Sequence, residues 1–358
     1  MSARITIWGT PSVGDLIARP TGHLPFPLEH PACRLYSRAR HALWSGVRQL
    51  GLADGDEVLT PAYHHGSEVE ALLRAGLQCR FYEIDTMLQP EVSALDRLVG
   101  PRTRALLLIH YLGRPQQLTR WRKWCDERGL LLLEDAAQSW LATSEGRPVG
   151  AVGDLAIFCL YKTVSIPDGA ALVCEPPPPP PGRRELGLAS WARERTTGVV
   201  ARFPSVKRLA RRLLRRAPAE AHTDFDLGEP DTAPTWVSTR MLPRLVGSHT
   251  ASSRRANYAS LAAELERFVR PPFDHLPAGA SPMLLPLTFD RDQKPAVLER
   301  LARHGIEGVD FWALPHPALP VDEFPRSAAL RDSVVGVPVH QGIDANGLER
   351  IAQAVQAS

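Results

Sequence analysis

A chain of 358 residues with 44% hydrophobic content can bury a large core and is long enough to divide into a large and a small domain, the proportions of a globular enzyme. A formal net charge of only +3 excludes a molecule built to neutralise a polyanion, so nucleic acid is not an expected partner. The cysteines, Cys33, Cys79, Cys125, Cys159 and Cys174, are odd in number and no two stand at CxxC or other zinc-like spacing; buried, reduced thiols are expected, and no metal. The first 24 residues hold no basic start followed by an apolar run, and nothing later approaches membrane-spanning length, so the expected location is the cytoplasm.

From 56 to 135, short apolar runs alternate with amphipathic stretches, which predicts repeated strand–helix units around a parallel sheet. Strands are expected at 57–60, 80–84, 105–110 and 130–134, and helices at 67–75, 92–99 and 118–128, the first with Ser67 as N-cap. Two further strands, 155–160 and 170–174, flank a turn at 161–169 that Pro167 and Gly169 punctuate. Six prolines, 176–181, end regular structure because they lack amide donors, and they predict an external connection. In 183–216, Lys207, Arg208, Arg211, Arg212, Arg215 and Arg216 interleave with Leu209, Leu213 and Leu214 at helical spacing. A basic amphipathic helix of this kind is either a solvated surface helix or a contact for an anionic membrane surface or substrate. A helix over 251–268 opens the second unit, which alternates strands and helices from 282 onward. The expected division is 1–245, with a proline-rich and basic insertion at 176–235, and 246–358.

The chemistry concentrates between 130 and 174. Ligands of an open α/β sheet lie beyond the carboxyl ends of its strands, so Asp135, after an apolar run, points toward that crevice. A carboxylate there can pair with a pyridinium nitrogen and keep the ring an electron sink; it can also simply cap the turn that follows. Only four lysines occur, Lys123, Lys162, Lys207 and Lys294, so chemistry that requires a primary amine has few candidates. Lys162 follows an apolar strand whose surroundings favour a neutral, nucleophilic amine able to form a Schiff base and then shuttle a proton. Alone, such a lysine reads as a surface residue; the pairing with Asp135 is what raises its interest.

These residues sit within a set of motifs that resembles the DegT/StrS-type sugar aminotransferases, of the fold-type I class of pyridoxal-phosphate enzymes. The motifs run from Gly55-Asp56-Glu57-Val58 and Pro61-Ala62-Tyr63 through Pro101-Arg102-Thr103-Arg104-Ala105 and His110-Tyr111-Leu112-Gly113. They peak at Glu134-Asp135-Ala136-Ala137-Gln138 and extend through Gly150, Gly153-Asp154, Phe158 and Lys162 to Arg254-Arg255-Ala256-Asn257-Tyr258 and Val337-Pro338-Val339-His340. The resemblance implies an α/β fold-type I transferase with a mostly parallel central sheet, helices on both faces, and a smaller C-terminal α/β domain. It implies pyridoxal 5'-phosphate as cofactor, with Lys162 as its covalent anchor, Asp135 on the pyridine nitrogen, Gln138 on the ring hydroxyl and His65 stacked over the ring. His65 as an ordinary loop histidine is the competing reading. Ser37, Arg38 and Ala39 occupy the phosphate loop at a helix start, with Cys159 in place of a serine before the lysine.

The chain is a divergent member of that resemblance. Arg38-Ala39 stands where Gly-Thr is usual, the spacing from Cys159 to Lys162 is short, and no Asn-Tyr-Arg element crosses from a partner near 236–241. His64, His110, Tyr111 and His316 are the candidates for the substrate side; Trp312 either lines that side with His316 or packs in the core, and core packing is the expectation. By resemblance the reaction is amino transfer from glutamate to a keto-sugar, nucleotide-linked, in surface polysaccharide or secondary-metabolite biosynthesis, carried out by a homodimer. Two alternatives stay open: a fold of this class that binds or regulates without turnover, and a cofactor-dependent enzyme acting differently on an amino acid.

Overall fold

The structure, a computed structural model, describes residues 4–9, 19–20, 22–187 and 225–357. The amphipathic helix expected at 207–216, with most of the basic segment 183–216, lies outside them. Seven strands form the main sheet: β1 (Cys33–Tyr36), β2 (Glu57–Pro61), β3 (Gln78–Tyr82), β4 (Thr103–Ile109), β5 (Leu131–Asp135), β8 (Leu155–Cys159) and β9 (Ala170–Cys174). Their order is β1-β9-β8-β5-β4-β2-β3, parallel from β8 to β3, with β9 running antiparallel to both of its neighbours. The short hairpin β6 (Thr143–Ser144) and β7 (Arg147–Pro148) stands apart.

The reason these strands were legible is that both faces are covered. In β4 the run Ala105 to Ile109 is wholly buried, and β2 and β8 are buried throughout, which selects continuous apolar sequence over alternation. The crossovers are α2 (Ser67–Arg74), α3 (Val92–Leu98) and α4 (Leu118–Asp126), while α1 (Ala39–Gln49) packs on β8 and β9. Predicted boundaries of the main sheet's strands and crossover helices held within about two residues, while the helix expected over 251–268 ends at Glu264; there are two further corrections. The edge strand β1 was not expected. The N-cap of α2 is Gly66, at φ 111°, and Ser67 is already helical; the acceptor at this helix start is the Glu68 carboxylate, which receives the His65 and Gly66 amides. The proline run holds no regular structure, and the Pro178 carbonyl accepts from Arg34 Nε at 3.0 Å, tying it alongside β1.

The remaining helices are α5 (Trp236–Leu245), α6 (Thr250–Glu264), α7 (Lys294–Arg303), α8 (Pro325–Ser333) and α9 (Ala345–Gln356). With α6 to α9 goes a small antiparallel sheet in the order β10 (Leu284–Thr288), β12 (Val334–Pro338), β11 (Val309–Asp310). One continuous apolar core joins it to the main sheet, running from Leu59, Tyr63 and Tyr111 to Leu285, Val337 and Ile351. Among the described residues no helix is long and apolar enough to cross a membrane.

The seam between the two sheets includes Gly113, at φ 88°, whose carbonyl accepts from Ser281 N. A Cβ there would lie 2.0 Å from the Ser281 carbonyl oxygen, in a conformation that already disfavours a side chain. Gly113→Ala is therefore expected to cost at least about 2 kcal/mol. Urea unfolding checks it, and an unchanged midpoint would show that the seam can open.

Candidate functional site

The strand topology places the carboxyl ends of β8, β5, β4 and β2 in a row along one edge of the sheet, and Asp135 pairs in register with Ile157. Beyond these ends lies a cavity of about 290 Å³ lined by Asp135, Gln138, Cys159, Lys162 and His65, with Arg38, Ala39 and Arg40 at the start of α1. Asp135, Gln138 and Lys162, read together from sequence, thus meet in one place.

Each side chain is set by its local structure. Alternation along β5 turns Asp135 into the cavity and its neighbour Glu134 the other way. Glu134 is buried and accepts from the Gly150 amide at 2.7 Å and from Val152 N at 3.1 Å, anchoring the loop ahead of β8. Asp135 accepts the Ala137 amide at 2.8 Å. Burial, and next the charge of Glu68, push its carboxyl up to about 7, against the pull of the Ala137 amide and Lys162. Gln138 gives its carbonyl oxygen to the Leu112 amide at 2.8 Å, which leaves its NH2 group as the donor for a ligand. Lys162 ends a single 3-10 turn, Leu160–Lys162, held from behind by Arg254. That buried guanidinium donates to the carbonyls of Lys162 (3.3 Å) and Thr163 (2.8 Å).

At the phosphate-loop position, Arg38 is extended at φ −136° and ψ 149°, and its guanidinium lies over the Tyr161 ring, 5.2 Å from the centroid. Ser37 does not line the cavity. Its hydroxyl is hydrogen-bonded to His41 Nδ1 at 3.0 Å, and its carbonyl accepts the Gly169 amide. Burial raises the pKa of Cys159, whose thiol does face the cavity.

A second cavity of about 290 Å³ adjoins the first, sharing His65, Lys162 and Trp312 with it. Its walls are apolar, chiefly Trp8, Phe225, Met283, Phe311 and Leu314, with Asp310 as a carboxylate held by Lys294 at 2.6 Å. Trp312, expected in the core, corrects that expectation in part. It packs on Phe311 and Tyr63 with ring centroids 4.5 and 4.8 Å away, yet it walls both cavities, from a backbone at φ 61° that bulky residues rarely adopt.

The proposed substrate-side residues are not brought together. His64 is buried against Phe81 with Nδ1 2.8 Å from the Pro61 carbonyl, and burial pushes its pKa down to about 4. His110 pairs with Glu134 at 3.0 Å and accepts from Gln116 N; Tyr111 donates to the Tyr63 carbonyl behind Trp312. His316 contacts Glu70 at 3.2 Å and packs on Phe225, one layer outside the cavity. None of the four lines either cavity. Sequence reasoning missed Glu68, Tyr161 and Phe225, which do. An acid in the first turn of α2 was the one available signal for Glu68.

Residues 30–177 match the profile of the DegT/DnrJ/EryC1/StrS aminotransferase family. That segment is similar to the family. The DegT/DnrJ/EryC1/StrS segment spans β1 to β9 and so contains Asp135, Gln138, Cys159 and Lys162. Over 135 residues the chain is 31% identical to the GDP-perosamine synthase of Vibrio cholerae, 37% of each protein. Over 147 residues it is 32% identical to the dTDP-4-dehydro-2,3,6-trideoxy-D-glucose 4-aminotransferase of Saccharopolyspora spinosa, 40% of this chain and 38% of that one. The match thus spans less than two fifths of either relative's length. The fold likeness reaches further. The crystal structure of the aminotransferase TlmJ from Streptoalloteichus hindustanus superposes with a TM-score of 0.66 over 91% of this chain and 85% of that one, at 22% identity. The α/β architecture expected from sequence, including the C-terminal unit, is therefore the fold of that crystal structure.

Proposed function

We propose that the protein is a pyridoxal-phosphate-dependent aminotransferase that places an amino group on the keto carbon of a sugar. The observation that carries this reading is the meeting of one lysine amine and one buried carboxylate, Lys162 and Asp135, in one cavity. The donor set fits the cofactor. A carboxylate whose burial makes its charge costly is suited to a cationic ring nitrogen, and the free amide NH2 of Gln138 suits a ring hydroxyl. The start of α1 with Arg38, Ala39 and Arg40 suits a phosphate through backbone amides, the helix dipole and guanidinium charge.

When bound, pyridoxal phosphate supplies an aldehyde for the amine and a ring that draws electrons away from the substrate carbon. Lys162 holds the cofactor and, once released, carries the proton between carbons. Asp135 keeps the ring nitrogen protonated, and His65 covers the cavity from the β2–α2 loop. The second cavity receives the acceptor, whose apolar face meets Trp312 and Phe225. By analogy with the named relatives, the acceptor is a nucleotide-linked keto-sugar of surface polysaccharide or secondary metabolism; glutamate as donor and a homodimer follow from the family resemblance. The binding-only reading gains no support, since such a fold has no need of an amine, an acid and an amide donor converging on one space.

Glutamate added to the yellow protein tests the reading. Loss of the visible band with release of 2-oxoglutarate is expected, and a colourless protein that takes up no pyridoxal phosphate would remove it. Trp312→Ala is expected to raise KM for the sugar about tenfold or more while the glutamate half-reaction changes less, because the loss falls on apolar contact with the acceptor. Steady-state and single-turnover kinetics separate the two.

A further inference from the structure

The cavity holds a second carboxylate, Glu68, to which neither the motifs nor the comparisons give a role. It is 5% exposed and shares the lining with Asp135 and Lys162. Its two oxygens are used separately: Oε1 accepts from His65 N at 2.9 Å and Oε2 from Gly66 N at 3.1 Å. Those amides belong to the residues that lead into α2, where donors have no partner within the helix. Burial opposes the charge of Glu68, but the neighbouring His64 and His65 and the amides it receives hold its pKa below the usual carboxylate value.

The grip matters because of what it holds. Gly66 sits at φ 111°, and a glycine at a loop's turning point can swing unless something pins it. Phe225 closes one side, since a Cβ on Gly66 would fall 2.6 Å from that ring, and Glu68 closes the other. Between them the His65 imidazole is edge-on to Phe225 at 5.9 Å and to Trp312 at 6.5 Å, on the boundary shared by the two cavities. An ordinary helix cap would need no place in the cavity lining and no hold on the residue ahead of the cap.

We propose that Glu68 is a positioning residue which, by gripping the His65 and Gly66 amides at once, holds the His65 imidazole over the cofactor cavity. This rests on the reading of that cavity as the pyridoxal-phosphate site. Glutamine at 68 keeps the shape but leaves only one oxygen, so one of the two amides loses its acceptor and the loop its charge-assisted hold.

The test is a cycle of four proteins: wild type, Glu68→Gln, His65→Ala and the double variant. Two quantities are read in each, the Kd for pyridoxal phosphate and the visible circular dichroism per bound cofactor, which reports how asymmetrically the ring is held. Glu68→Gln is expected to weaken binding about tenfold and to reduce the dichroic band. In the His65→Ala background the same substitution is expected to change Kd less than about twofold, because the side chain it positions is gone. An equal loss in both backgrounds would overturn the proposal and leave Glu68 a purely structural cap, as would an unchanged Kd and band in Glu68→Gln. Should Glu68→Gln not fold, Glu68→Asp, too short to span both amides, carries the same comparison. A wild-type protein with no cofactor band would instead remove the function proposed above, so the two failures are distinguishable.

Discussion

Lys162→Ala is expected to abolish covalent attachment of pyridoxal phosphate and to lower turnover by at least about 10³-fold, while the fold survives. The size follows from losing both the nucleophile and the proton carrier, each of which contributes factors of this order. Survival of the fold follows from position, for the side chain stands half-buried at the cavity wall, and Arg254 holds the turn through backbone carbonyls that alanine retains. Among the described residues no other lysine is placed to substitute for it. Lys294 is buried and committed to Asp310 at 2.6 Å, and Lys123 is exposed on α4 beside Glu127. Borohydride reduction followed by intact mass gives the measurement: the wild type is expected to gain the mass of the reduced cofactor and the variant to gain nothing. A variant that still gains it would mean that an amine elsewhere, such as Lys207, does the work assigned to Lys162.

The parts of this site that could be read from sequence are those whose chemistry and location share a cause. Asp135 and Lys162 follow apolar strands, and strands of a parallel sheet deliver their carboxyl ends to one side, so pattern alone brings the acid and the amine together. The main strands were legible for the same reason, since burial on both faces leaves an unbroken apolar run. The edge strand β1 has no such run, being a mixed Cys-Arg-Leu-Tyr segment only partly covered, and was missed. The histidines show the opposite limit. His64, His110 and His316 have the residue type of a catalytic group, but each meets a protein partner; for two of them sequence distance conceals it, Glu134 being 24 residues from His110 and Glu70 246 from His316, while His64 turns to the nearby Pro61 carbonyl. Ser37 likewise spends its hydroxyl on a near neighbour, His41, one helical turn on. Trp312 reaches the cavity while packing on Phe311 and Tyr63, so wall and core, between which residue type could not choose, are both occupied.

Asp135→Asn is expected to divide catalysis from stability. With cofactor bound, an amide cannot balance a cationic ring nitrogen, and turnover is expected to fall about 10²- to 10⁴-fold, the range typical of losing charge stabilisation in a water-poor site. Without cofactor the sign reverses. The folded-state pKa of Asp135 is raised, from its ordinary 3.8 to about 7, by burial and then by Glu68. Below about pH 4 the side chain is protonated folded and unfolded alike and has no effect on stability. As pH rises from there toward 7 the unfolded chain releases its proton while the folded one keeps it, so stability declines through that window and the loss, a few kcal/mol as an order of magnitude, is complete above it. Asparagine has no such charge. The cofactor-free variant is thus expected to melt higher than the cofactor-free wild type at pH 8, with the difference gone near pH 4. Pyridoxal phosphate is expected to raise the wild-type melting temperature by more than it raises that of the variant, because in the wild type it also relieves the buried carboxylate. Thermal unfolding of both proteins across that range, with and without cofactor, reads all three; a variant that is less stable at pH 8 would mean that Asp135 is already compensated by a partner other than the ring.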